Sequence, residues 1–103
     1  MSTNRVGAAF EAMGDGTRRA VLDLVRSRER SVGEIARSLP VTRPAVSQHL
    51  RVLKDAGLVR DRAEGTRRLY RADPRGLEEL RRYLERFWDD ALAAFAEEAG
   101  RRR

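Results

Sequence analysis

The chain has 103 residues, a net charge of +6, 41% hydrophobic and 37% charged residues, one histidine and no cysteine. That length makes one domain (1–103) with a modest core, and the missing cysteines exclude disulfides, thiolate metal sites, cysteine nucleophiles and thiol-based redox sensing. The basic balance points to nucleic acid or another polyanion, but only Lys54 of the 22 basic residues is lysine, so an overall arginine habit has to be separated from a localised patch.

The opening residues, MSTNRVGAAFEAM, lack the apolar run of a signal peptide. No segment approaches the ~20 apolar residues of a membrane span. A cytoplasmic protein with no membrane association is expected. Residues 6–13 form a short helix candidate with Val6, Ala9, Phe10 and Met13 on one face. Gly14-Asp15-Gly16 interrupts it, and Asp15 is placed to cap the next helix. That helix offers Ala20, Val21, Leu24 and Val25 at core spacing.

Ser31 and Glu34 have the spacing of a capping box. The short helix they open presents Ile35 and Leu39 and stops at Pro40. Thr42 caps the following helix, and Pro44 is tolerated because first-turn amides have no intrahelical partner. At 100° per residue, Val46, Leu50 and Leu53 form the buried stripe of that helix, flanked by Ala45, His49, Val52 and Ala56. Arg43, Ser47, Gln48 and Arg51 fall on the opposite face, with Pro44 and Lys54. Gly57 supplies the stop.

Alternation and the Glu64-Gly65-Thr66 stretch predict a β-hairpin over about 58–72, its tip near Gly65. Leu69 and Tyr70 are expected to pack it onto the body. Asp73-Pro74 then starts a long helix over about 74–99. The tail Arg101–Arg103 is expected to be frayed and solvated. The fold class is mainly α with a small β-hairpin: a winged helix-turn-helix, with the helix-turn-helix over about 31–56 and the wing over about 58–72.

Charge is unevenly spread. Between Arg43 and Arg71, eight basic and three acidic residues leave +5, whereas residues 74–103 carry seven of each. A uniform arginine habit does not produce that pattern; a phosphate backbone rewards it through counterion release. Arg43, Ser47, Gln48 and Arg51 are therefore candidate base readers, since arginine pairs with guanine and glutamine with adenine in the major groove. Thr42, His49, Lys54, Arg62, Thr66, Arg67 and Arg68 are candidates for the DNA backbone and the wing contacts. His49 lies beside the buried stripe, which suits a structural or phosphate-contacting role with a possible pH-dependent contact. It has neither the nucleophile and orienting acid of a catalytic histidine nor a second histidine or a cysteine to share a metal with. No catalytic residue, metal or cofactor is expected.

The stretches GDGTRRAVLDLV, SVGEIARSLPVTRPAVSQHLRVLKDAGLV and DRAEGTRRLYRAD resemble the ArsR-type (ArsR/SmtB) family of bacterial winged-helix repressors over most of residues 14–73. The resemblance implies a homodimeric, DNA-binding transcriptional regulator, commonly a repressor of its own operon. Two family metal-sensing schemes lack their ligands here: VGEIARSLP has no cysteine, and LERFWDDALAAFAEEAG has carboxylates but no histidine. The family's Asp-Pro-Thr-Arg start reads Asp15-Gly16-Thr17-Arg18, which keeps the cap and loses the rigid proline. No feature of the chain identifies an inducer.

Leu77, Leu80, Leu84, Phe87, Ala91 and Ala94 follow a 3-4 rhythm, widened by Trp88, Leu92 and Phe95. Such a stripe suits a helix-helix seam. Together with Phe10 it is expected to form a two-fold dimer interface involving Leu80, Leu84, Phe87, Trp88, Ala91, Leu92 and Phe95. That dimer would present two recognition helices ~34 Å apart to an inverted-repeat operator in double-stranded DNA. Two other readings share parts of this pattern: a nonspecific architectural DNA-binding protein, and a protein-interaction module built on the apolar last helix.

Overall fold

A computed structural model describes residues 2–101, with side chains from residue 5 onward; Arg102 and Arg103 of the expected frayed tail lie outside the described residues. Eight elements follow one another: α1 (Ser2–Met13), α2 (Gly16–Ser27), β1 (Arg30–Ser31), α3 (Val32–Ser38), α4 (Arg43–Asp55), β2 (Val59–Glu64), β3 (Arg67–Ala72) and α5 (Pro74–Arg101).

Local chemistry sets most of the boundaries. Asp15 accepts from the Arg18 amide at 2.9 Å and opens α2 without the proline. Ser31 Oγ accepts from the Glu34 amide at 3.2 Å while Glu34 Oε1 accepts from the Ser31 amide at 3.0 Å, a complete capping box at the start of α3. Thr42 Oγ1 accepts from the Ala45 amide at 3.2 Å, and Pro44 sits in the first turn of α4, where it forfeits no helical bond. Gly57 ends the segment at φ +79°, and Gly65 turns the hairpin at φ +62°, left-handed conformations that favour glycine. Asp73 Oδ1 accepts from the Arg75 amide at 3.0 Å at the start of α5.

The core is one cluster. Val21 and Val25 of α2, Ile35 of α3, Val46, Leu50 and Leu53 of α4, and Leu58 are fully buried. Each such side chain gains about 1.5–3 kcal/mol from leaving water. α2 also buries Leu22, which the spacing argument passed over, while Ala20 and Leu24 are only half-buried. In α1 the buried positions are Ala9 and Ala12; Val6 and Met13 are half-buried and Phe10 is exposed. α1 thus gives Ala9 and Ala12 to the core and leaves Phe10 on its solvent side.

The wing is more firmly anchored than a lone hairpin. β2 and β3 pair antiparallel from Val59↔Ala72 to Glu64↔Arg67. β1, a strand absent from the sequence reading, adds to the other edge of β3 through Arg30↔Tyr70 and Ser31↔Leu69, giving the order β1-β3-β2. Because Ser31 is both the last residue of β1 and the cap of α3, the sheet fixes the helix-turn-helix to the wing. Leu69 is buried and Tyr70 packs against the core, as expected.

α5 begins against the body and then leaves it. A Cβ on Gly76 would collide with the Gly57 carbonyl oxygen, so the α5 start lies directly on the α4–β2 turn. Leu77 packs on the core and Leu80 is 9% exposed. From residue 81 to Arg101 every residue is exposed, and the described chain spans 65 Å in its long direction.

Candidate nucleic-acid interface

The burial of α4 follows the predicted rotation. Val46, Leu50 and Leu53 face inward, Ala45, His49, Val52 and Ala56 are half-buried, and Arg43, Pro44, Ser47, Gln48, Arg51 and Lys54 are exposed. Ser47, Gln48 and Arg51 form an outward polar face with no acidic partner for Arg51 among the described residues. Arg43 behaves differently. Its guanidinium folds back over α3, where a Cβ on Gly33 would meet Nη2 at 2.6 Å and Cζ at 3.2 Å. Thr42 is exposed, and its hydroxyl is engaged in capping.

A depression of about 490 Å3 joins this face to the wing, lined by Ser47, Arg51 and Lys54 on one side and Asp61, Arg68 and Tyr70 on the other. At its base the Asp61 side chain is 8% exposed, with Lys54 Nζ at 2.8 Å and Arg68 Nε at 2.6 Å. Hydrogen bonding from Lys54 first and Arg68 second holds the Asp61 carboxyl below its ordinary range. The two cations remain half-exposed beside the groove.

Arg62, expected to reach DNA, is committed within the molecule. Its Nε and Nη2 fork onto the Glu29 carboxylate at 2.8 Å each, and Nη2 also meets Glu64 at 3.4 Å. That fork pushes the Arg62 guanidinium above its ordinary range and holds the Glu29 carboxyl below its own. Arg67 shares Glu64 at 3.3 Å, and Thr66 stands exposed at the hairpin tip. Arg60 and Arg71, paired across β2 and β3 on the same sheet face as Arg62, are exposed with no ion pair among the described residues. Their charge was legible in the sequence; the cross-strand register that sets them side by side was not.

His49 is half-buried, and its Nδ1 is buried with no hydrogen-bond partner among the described residues. It lies close enough to Asp15, at the start of α2, to act on it electrostatically. Only its other nitrogen is left to meet a ligand. Among the described residues, no group of three or more His, Cys, Asp or Glu side chains is gathered in a way that could hold a metal ion.

The expected dimer residues divide into two sets. Leu84, Phe87, Trp88, Leu92 and Phe95 are exposed, reaching 72% at Phe95, and Ala91 is exposed among them. Phe10 is 41% exposed and meets Tyr83 of α5 edge-on within the chain, ring centroids 5.6 Å apart. Leu80 does not belong with them. It is drawn into the chain's own core beside Ala9, because the first two turns of α5 pack on α1 and the α4–β2 turn.

Residues 15–61 match the family model described as bacterial regulatory protein, arsR family. The chain is 55% identical over 98 residues to the HTH-type transcriptional regulator Rv2034 of Mycobacterium tuberculosis, covering 94% of this chain and 92% of that one. It is 38% identical over 56 residues to the transcriptional repressor SdpR of Bacillus subtilis, covering 54% of this chain and 62% of that one. Among solved structures it is similar, at a TM-score of 0.70 and 32% identity, to the homodimeric winged helix-turn-helix DNA-binding domain of Mb0332 from Mycobacterium bovis, a possible ArsR-family transcriptional regulator; the match covers 87% of this chain and 83% of that one.

Proposed function

We propose, for a chain that belongs to the arsR family of bacterial regulatory proteins and is a winged helix-turn-helix DNA-binding transcriptional regulator, that it acts in the cytoplasm as a homodimeric repressor of its own operon, without enzymatic activity. The observation that carries this reading is the division of α4: three fully buried aliphatic side chains on one side, and Ser47, Gln48 and Arg51 exposed on the other beside a cationic wing.

In this reading Ser47, Gln48 and Arg51 touch base edges in the major groove. Lys54, Arg67 and Arg68 hold phosphates, with Thr42 and His49 at the margin. Arg60 and Arg71 join the wing contacts. α5 supports the homodimer: Leu84, Phe87, Trp88, Leu92 and Phe95 leave a run of large apolar side chains exposed along it, which a two-fold partner would cover. The similar Mycobacterium bovis domain is homodimeric, and SdpR is a repressor. An inverted repeat follows from a two-fold pair of α4 helices.

Footprinting on the DNA upstream of the chain's own gene tests the proposal. A protected inverted repeat that overlaps the promoter is the expected result. Uniform protection at all concentrations would favour a nonspecific architectural role, and no protection would favour a protein-interaction module acting through α5.

A further inference from the structure

On the far side of Arg68 from the α4 groove lies a second depression of about 420 Å3, bounded by α3, the start of α4 and the wing. Four arginines line it, Arg37, Arg43, Arg67 and Arg68, together with Gly33 and Tyr70, and no carboxylate does. Arg67 and Arg68 have acidic partners elsewhere. Arg37 and Arg43 have none among the described residues, yet both guanidinium groups converge on one backbone position: a Cβ on Gly33 would lie 2.6 Å from Arg43 Nη2 and 3.5 Å from Arg37 Nη1. Bringing two unpaired guanidinium groups together over a buried glycine is unfavourable in an empty site. It becomes favourable when an oxyanion bridges them, and arginine's planar fork suits phosphate oxygens.

We propose that Gly33, Arg37 and Arg43, with Arg67 from the wing, form a seat for one backbone phosphodiester of bound DNA, and that position 33 is glycine so that the Arg43 guanidinium can lie across α3. This inference rests on the DNA-binding reading above and adds to it. Arg43 becomes a phosphate clamp, whereas Ser47, Gln48 and Arg51 remain the base readers. Arg37, which no sequence pattern singles out, becomes a DNA-contacting residue. The seat lies between the helix-turn-helix and the wing, so one phosphate there would hold both parts in register on the duplex.

Gly33→Ala separates the seat from a merely structural glycine. The added methyl meets only the ends of two flexible side chains, and alanine favours a helix over glycine. The variant should therefore melt no lower than the wild type while binding DNA more weakly. Arg37→Ala should weaken binding to operator and random duplex alike, and lower the slope of log affinity against log salt by about one. In a scan of duplexes carrying single neutral methylphosphonate linkages, the wild type should lose affinity at one linkage per half-site, and Arg37→Ala, which keeps Arg43 and Arg67 there, should lose less at that linkage than the wild type does. Wild-type binding with unchanged affinity and salt slope in both variants overturns the seat and leaves the DNA-binding reading intact. A wild type that binds no duplex overturns both. Arg37-dependent thermal stabilisation by inorganic pyrophosphate at matched ionic strength, without any Arg37 effect on the salt slope, assigns the seat to a free anion and overturns the DNA assignment.

Discussion

The Asp61 carboxylate of β2 meets the Lys54 ammonium of α4 at 2.8 Å, which ties the first strand of the wing to the last turn of the helix proposed to read DNA. Arg68 on the neighbouring strand takes the other carboxylate oxygen at 2.6 Å. One nearly buried acid thus sets the distance between two surfaces proposed to meet the same duplex. It also lowers the local positive charge beside the groove, so the arrangement exchanges some electrostatic attraction for a fixed geometry.

Asp61→Asn should destabilise the domain by about 1 kcal/mol at neutral pH: two charge-assisted bonds are weakened, and the half-exposed Lys54 and Arg68 offset part of that loss by regaining water. The effect should depend on pH in one direction. Lys54 and Arg68 hold the folded carboxyl below its ordinary value of 3.8. A carboxyl depressed on folding contributes fully above its unfolded pKa, and the contribution is lost as pH falls through the folded one. Urea unfolding of both proteins should therefore show a gap that closes as the pH falls below the ordinary carboxyl value of 3.8. A gap that does not change with pH would assign the cost to packing instead.

Arg51→Ala and Arg67→Ala should fail in different ways. Arg51 has no ion pair among the described residues and stands on the outward face of α4. Its removal should cost about 1–3 kcal/mol on the operator and relax base preference at the contacted position. Arg67, at the wing, should weaken all duplexes equally and flatten the salt dependence by about one unit of slope. Fluorescence anisotropy on operator and scrambled duplexes over a salt series separates the two. Identical behaviour would remove the distinction between base reader and phosphate clamp.

The elements most legible in the sequence are those decided within a few residues. Asp15, Ser31 with Glu34, Thr42 and Asp73 all accept the helix-start amides that their positions imply. The α4 stripe is legible because Val46, Leu50 and Leu53 recur at helical spacing and all three are fully buried. What escaped depends on partners far along the chain. β1 is two residues long and exists only because Tyr70 and Leu69 stand opposite it. Arg62 looked free because Glu29 is 33 positions away. Arg43 lies on the outward face by rotation, yet its long side chain reaches back across Gly33, which no periodicity can express.

Leu80 and Leu84 are one helical turn apart and should report different processes. Leu80 is 9% exposed and packs with the core, whereas Leu84 is 46% exposed. Leu80→Ala should destabilise the domain by about 2–4 kcal/mol, the cost of emptying a packed aliphatic site. Urea unfolding monitored by circular dichroism measures it.

Trp88→Glu and Phe95→Glu should leave the body intact and abolish the dimer. Both side chains are more than half exposed and touch nothing in the described core. A charge placed at the centre of an apolar seam has no partner and loses its water when the seam closes. Sedimentation velocity at micromolar concentration should show dimer for the wild type and monomer for both variants. A wild-type monomer would remove the dimer proposal, and with it the expected inverted repeat.

Glu29→Gln tests whether the wing is held back by its own acid. Arg62 spends its Nε and Nη2 on Glu29, so in the described state the guanidinium edge that would fork onto a phosphate is already occupied. Phosphate binding by Arg62 must break that fork or forgo the contact. Glutamine keeps one acceptor oxygen and removes the charge, which releases the guanidinium without deleting a side chain. If Arg62 joins DNA on binding, the variant should bind operator and random duplex several-fold more tightly, with a steeper salt slope. The Arg62→Ala variant should then cancel that gain in the double mutant. If Arg62 is purely structural, Glu29→Gln should lower the melting temperature and leave the salt slope within one charge-neutral step of the wild type. The same salt titration and a thermal melt on the four proteins decide between the two, because only a DNA-contacting Arg62 couples the charge at position 29 to the number of ions released.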